Sequence, residues 1–178
     1  LVTMTPADYA SFRDSLGQSS GFQSFQYREL EFLLGNKNAA LIQAHKNHPH
    51  NYQHLTTVLN APSLYDVCLQ LLLQRGFDIP VAHTKRDWQQ PYSPNAQVEA
   101  AWRKVYQDTD TYWDLYELAE KLVDLEYHFQ QWRFNHMKTV ERIIGHKHGT
   151  GGTSGVDYLQ KALSLQFFPE LWSVRTSL

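Results

Sequence analysis

The chain has 178 residues, enough for one domain with a sizeable core. Its formal net charge of -2, with 42% hydrophobic and 19% charged residues, gives no bulk basic field for nucleic acid and fits an ordinary globular protein. No apolar run approaches membrane-spanning length and no signal peptide is visible. The single cysteine, Cys68, excludes a disulfide framework within the chain and makes a cytoplasmic home the expectation. The aromatic share of 13%, with 5 Trp, suits a dense core or a pocket for a flat ligand.

Helical signals dominate from the start. Thr5-Pro6-Ala7-Asp8 reads as an N-cap, a proline at the first helical position and an acid at the third. That helix is expected to reach about Leu16 and stop at Gly17. A second, from about Phe22 to Leu34, stops at Gly35 and turns Phe22, Phe25, Phe32 and Leu33 to the core, with Glu29 among them. A short helix is expected around Asn51–Leu59, and Ser63 caps another from Leu64 to Gln74, ended by Gly76. Residues 77–92 carry two prolines and mixed charges and read as a loop. Ser93-Pro94 opens a helix to about Tyr106.

The last long helix is expected from about Thr111 to Ile144. Its apolar seam is Leu115, Leu118, Leu122, Leu125, Phe129, Trp132, His136, Val140 and Ile143, every step being three or four residues. A Gly/Thr/Ser loop, 149–155, follows shortly after, then a helix over Val156–Leu163 and a final turn, PELW, opened by Pro169. No pattern of period two survives, so the fold class is all-α: a helical bundle in one domain, 1–178, organised by a long seam helix. The chain starts at Leu1, and its first residues, LVTMT, read as the tail of an earlier connection; the numbered chain is expected to lack its natural front.

His136 is the residue out of place in that seam. It is either a core histidine bonded to a neighbour or an axial iron ligand through Nε2, its other nitrogen held by an acceptor. One histidine cannot build a structural zinc site, whereas a haem needs only one. Trp132 and Val140, one turn to either side, are core residues or pack on a porphyrin face. The loop GTGGTSG is either a flexible linker or a nest of N–H groups and hydroxyls for an anionic or zwitterionic ligand. It is not a Walker A loop, since no Gly-Lys-Ser/Thr follows, and not a dinucleotide fingerprint, since it follows a helix.

Tyr9, Phe12, Arg13 and Leu16 share one face of the first helix by their spacing. Arg13 is either a snorkelling rim residue or a guanidinium fork for a carboxylate above an apolar pocket, as an aromatic or aliphatic amino acid would need. His45, His48, His50 and His54 lie in a polar segment, HKNHPHNYQH, that reads as a solvated connector; a non-haem metal protein using His50 and His54 is the rival reading. A cofactor-free helical interaction protein is another. Cys68 is expected to be buried and inert.

These residues carry a resemblance. WRFNHMKTVERIIGHKHGTGGTSGVDYL, FFPELWSVRT and MTPADYASFRDSLGQSSGFQSFQYRELEFLLGNKN resemble the carboxyl-terminal part of the bacterial tryptophan 2,3-dioxygenases, over essentially the whole chain. The resemblance implies an all-helical homotetramer binding haem b (iron protoporphyrin IX), which adds both atoms of O2 to the indole ring of L-tryptophan and gives N-formyl-L-kynurenine, the first step of tryptophan catabolism by the kynurenine pathway. It implies His136 as axial ligand and Arg13 as partner of the substrate carboxylate. Tyr9 would assist, Leu16 would wall the indole pocket, and Thr150 would bond the substrate's ammonium and carboxylate. Ser20 and Gly21 would lie on the oxygen side of the haem, Trp132 beside it, and Arg28 toward a propionate. The family's distal histidine, in a His-Gln-Thr-Tyr-Glu-Leu-Trp-like helix, is not in this sequence, so these 178 residues alone are expected to be an incomplete enzyme with no catalytic residue of their own identified.

Overall fold

The computed structural model of the chain describes residues 4–15, 24–144 and 162–178. Its α-helices are α1 (Pro6–Ser15), α2 (Phe25–Leu34), α3 (Pro49–Asn60), α4 (Leu64–Gln74), α5 (Val81–Thr84), α6 (Ala96–Gln107), α7 (Trp113–Ile144) and α8 (Pro169–Ser173), with 3-10 turns at Ala39–His45 and Val174–Thr176. No strand occurs among the described residues, and the chain is all-α.

Helix ends follow local chemistry. The Thr5 hydroxyl accepts from the Asp8 amide at 3.2 Å and donates to the Asp8 carboxylate at 2.6 Å, which starts α1. Ser63 and Asp66 form a full capping box at the start of α4. At the other end of α2, Gly35 takes φ 113°, so that its own N–H reaches the Phe32 carbonyl and the Asn36 N–H reaches the Glu31 carbonyl. Gly76, φ 84°, closes α4 in the same way, with Phe77 donating to Leu72. The helix expected to open at Ser93-Pro94 begins instead at Ala96. Asn95 is its cap, the side chain accepting from the amides of Gln97 and Val98 at 2.8 and 3.3 Å. The segment 77–92 is not wholly a loop, since it contains the one-turn α5.

The chain divides into two compact units, Leu1–Ser24 with Tyr127–Leu165, and Phe25–Glu126 with Gln166–Leu178. In the second, α2 and α3 pack around Phe32, Ile42, Leu55 and Leu59. Leu34, not Leu33, is buried on α2; Leu33 faces outward. Trp102 of α6 is fully buried and donates through Nε1 to the Tyr65 hydroxyl at 3.0 Å. Several buried charges organise this unit, Lys37, Asp66 and Glu170 among them. Lys37 donates to the carbonyls of Val58, Leu59 and Ala61 at 2.7, 3.3 and 2.9 Å, capping the end of α3 with an ammonium. Asp66 takes a two-pronged contact from Arg86, Nε at 2.8 Å and Nη2 at 2.9 Å. Glu170 accepts from the hydroxyls of Tyr65 and Tyr92 at 2.9 and 2.6 Å and from the Asn95 amide at 2.8 Å.

Along α7 the buried stripe departs from the expected seam. Leu115, Leu122 and Val140 are buried as expected, but Leu125 and Trp132 are 41% and 44% exposed. The inward positions are Ala119, Val123, Glu126, Arg133 and Met137. Two of these are charged, so a pattern scored on apolar residues passes them over. Their charges are satisfied at distant backbone. Glu126 accepts from the amides of Phe167 and Phe168 at 2.7 and 3.1 Å and from Trp172 Nε1 at 2.9 Å. Arg133 donates through Nη1 to the Leu165 carbonyl at 3.1 Å.

Candidate functional site

The carboxyl-terminal half of α7 carries the candidate site. Residues three and four apart on a helix are surface neighbours, so Phe129, Trp132 and His136 fall in one line. The Trp132 and His136 rings are stacked, centroids 5.6 Å apart and planes 18° from parallel. Phe129 meets Trp132 at 5.9 Å with a 40° tilt. Beneath Phe129 lies Arg133, fully buried, its guanidinium carbon 4.8 Å from the ring centroid.

His136 is half-buried, and burial lowers its pKa below the usual imidazole value. That shift favours the neutral ring, the form a metal requires. A half-buried imidazole stacked on a half-exposed indole has the donor chemistry that could hold a haem iron.

Of the other residues expected at the site, Tyr9 lies on α1 with its ring 6.4 Å from Phe12, a residue 44% exposed. Arg13 belongs to the same helix, its side chain outside the described residues; Leu16, Ser20, Gly21 and Thr150 also lie outside them, as do the Gly loop and most of the helix expected after it. The structure thus brings Trp132 and His136 together. Arg28 belongs to the other compact unit. It is buried on α2, donating through Nη1 to Glu31, whose Oε1 also accepts from Asn36 Nδ2 at 3.1 Å.

The His-rich connector folds into structure. His48 occupies the N-cap position of α3 without a side-chain cap bond and His50 lies in its first turn, both exposed, while His54 Nε2 pairs with Glu29 Oε1 at 2.7 Å. His45 is buried against the edge of Phe25, centroids 6.4 Å apart, and burial lowers its pKa. Among the described residues no group of three or more His, Cys, Asp or Glu could hold a metal ion, which leaves the non-haem-metal reading without support there. Cys68 is buried, as expected.

Sequence reasoning missed Lys37, Asp66, Glu126, Arg133 and Glu170. Only Asp66 had a local signal, the Ser-x-x-Asp spacing of a capping box.

The architecture and site define a class: an all-α protein whose longest described helix presents a half-buried histidine stacked on an indole. Comparison with known proteins gives the family. The family model described as Tryptophan 2,3-dioxygenase matches residues 1–61 and 103–178. The chain is 57% identical over all 178 residues to a tryptophan 2,3-dioxygenase of Bradyrhizobium sp. (strain ORS 278), covering 64% of that protein. It is 56% identical to tryptophan 2,3-dioxygenase 1 of Ralstonia nicotianae, covering 60% of it, and 57% identical to a tryptophan 2,3-dioxygenase of Bacillus thuringiensis (strain Al Hakam), covering 64%. The chain belongs to the tryptophan 2,3-dioxygenase family. It spans 60–64% of the length of these relatives.

Proposed function

We propose that the protein carrying this chain is a haem-dependent dioxygenase that inserts both atoms of O2 into the indole ring of L-tryptophan, giving N-formyl-L-kynurenine. One observation carries the reading: the whole chain aligns at 57% identity with tryptophan 2,3-dioxygenases. The half-buried His136, at the end of the WRFNH motif, supports it. Family membership also disfavours a cofactor-free interaction protein. A haem b group, a homotetrameric assembly, a cytoplasmic location and a place at the head of the kynurenine pathway complete the proposal. No helix among the described residues is long and apolar enough to cross a membrane.

Haem, when bound, supplies the activation of O2. The chain's own task is then to bind and orient. His136 would hold the iron through a neutral ring nitrogen. Arg13 forks onto the substrate carboxylate, Tyr9 assists it, and Thr150 holds the ammonium and carboxylate. Leu16 walls the indole, and the glycine loop excludes water from the reacting edge. Ser20 and Gly21 would border the oxygen side, and Arg28 would serve a propionate.

His136→Ala in the whole protein is expected to abolish haem retention, read from the Soret band after gel filtration; an unchanged band refutes the ligand assignment. Arg13→Ala is expected to lower kcat/KM for tryptophan by roughly 10- to 150-fold, the loss of a charge-assisted contact of about 1.5–3 kcal/mol. An unaltered kcat/KM refutes the clamp.

A further inference from the structure

We infer that Trp132 is a positioning residue for His136: a line of rings along α7, anchored on Arg133, sets the plane of the imidazole. The inference rests on the proposed axial role of His136 and goes beyond it, because it gives Trp132 a task on the histidine in place of simple packing on a porphyrin face.

Three observations carry it. First, the Trp132 and His136 rings lie 18° from parallel at 5.6 Å, an arrangement in which rotation of the imidazole about its own side-chain bond would break the stack. Second, Trp132 is 44% exposed, so solvent exclusion by the core does not fix its ring and a neighbour must. Phe129 is one such neighbour, 5.9 Å away one turn earlier. Third, Phe129 rests on a guanidinium, 4.8 Å from its centroid, that is itself completely buried and bonded to the Leu165 carbonyl at 3.1 Å. The rigid point is therefore Arg133, and orientation passes from it through two aromatic rings to the histidine. An axial ligand needs this constraint, since its ring plane sets overlap with the iron orbitals and its tilt sets the length of the bond.

The experiment uses the whole haem-loaded protein and four variants: Trp132→Phe, Trp132→Leu, Trp132→Ala and His136→Ala. Two readouts apart from activity are the ferric low-spin electron paramagnetic resonance g-values, which report imidazole plane orientation, and the rate of haem transfer to an excess of apomyoglobin. Far-UV circular dichroism confirms that each variant is folded, and the exposure of Trp132 makes folding of all three of its variants the expectation. Trp132→Phe is expected to keep the wild-type g-values and a haem-loss rate within about twofold. Trp132→Leu, which keeps apolar bulk but no ring plane, and Trp132→Ala are expected to shift or broaden the g-values and to raise haem loss roughly two- to tenfold, the range of one aromatic pair. Wild-type g-values and haem-loss rates in both Trp132→Leu and Trp132→Ala, with His136→Ala losing haem, overturn the positioning role and leave the axial assignment standing. Retention of the wild-type spectrum in His136→Ala overturns the axial assignment, and the positioning role with it.

Discussion

Removing the Glu126 carboxylate tests how the carboxyl-terminal tail is held within its unit. Glu126 is fully buried and receives three donors, the Phe167 amide at 2.7 Å, the Phe168 amide at 3.1 Å and Trp172 Nε1 at 2.9 Å. Phe167 and Phe168 lead directly into α8, so the carboxylate satisfies backbone that has no helical partner of its own. Glu126→Ala strands these donors in a buried place. Each buried donor left unpaired costs about 1–3 kcal/mol, and water entering the vacated volume recovers part of it, so about 3 kcal/mol is the expected loss. Against a typical total stability of about 5–15 kcal/mol this is severe. Glu126→Gln keeps one carbonyl acceptor and turns an amino group toward a donor, so about half that loss is expected. Urea unfolding followed by circular dichroism measures the change, and hydrogen exchange at the Phe167 and Phe168 amides localises it. The exposed pair Arg75–Asp114, 2.6 Å apart, serves as control, with Asp114→Asn expected to change stability by less than about 1 kcal/mol. A loss below about 1 kcal/mol in Glu126→Ala, or unchanged protection at both amides, refutes the carboxylate clamp.

Two further outcomes follow from buried groups. Burial pushes the Cys68 thiol up to about 11, so a thiol reagent at pH 8 is expected to label it only as fast as the protein opens, with labelling accelerating in urea; rapid stoichiometric labelling of the native protein contradicts this. Burial lowers Lys37 from 10.5 to about 8, its causes being desolvation first, then the opposing pulls of Asp66 and Arg86. Between those two values the unfolded chain holds a proton that the native chain has released, so this residue makes stability rise with pH across the window, by up to about 1.4 kcal/mol per pH unit. Wild type minus Lys37→Met is therefore expected to grow from pH 8 to pH 10, and a flat difference contradicts the shift.

What could be read from the sequence divides by the distance over which each interaction acts. The capping of α1 by Thr5 and of α4 by Ser63, and the glycine stops at Gly35 and Gly76, involve residues within five positions of one another, and all of these were legible. Pro94 misled by two residues because a proline marks where a helix can begin, whereas Asn95 supplies the oxygen that satisfies the first amides. The burial of Glu126 and Arg133 could not be read at all. Their partners lie 41, 42 and 46 residues away for Glu126 and 32 for Arg133, and no local pattern announces that a charge will meet backbone there.

The same contrast explains the seam. Scored by apolar residues, α7 turns Leu125 and Trp132 inward; in the structure the tail's unpaired backbone draws Glu126 and Arg133 inward instead and leaves those two half-exposed. With Arg133 inward, the adjacent line Phe129–Trp132–His136 lies at the margin of the buried face, with Trp132 half-exposed and Phe129 and His136 partly buried. The buried arginine that breaks the hydrophobic pattern thus lies beneath Phe129, the ring next in line to the Trp132–His136 stack.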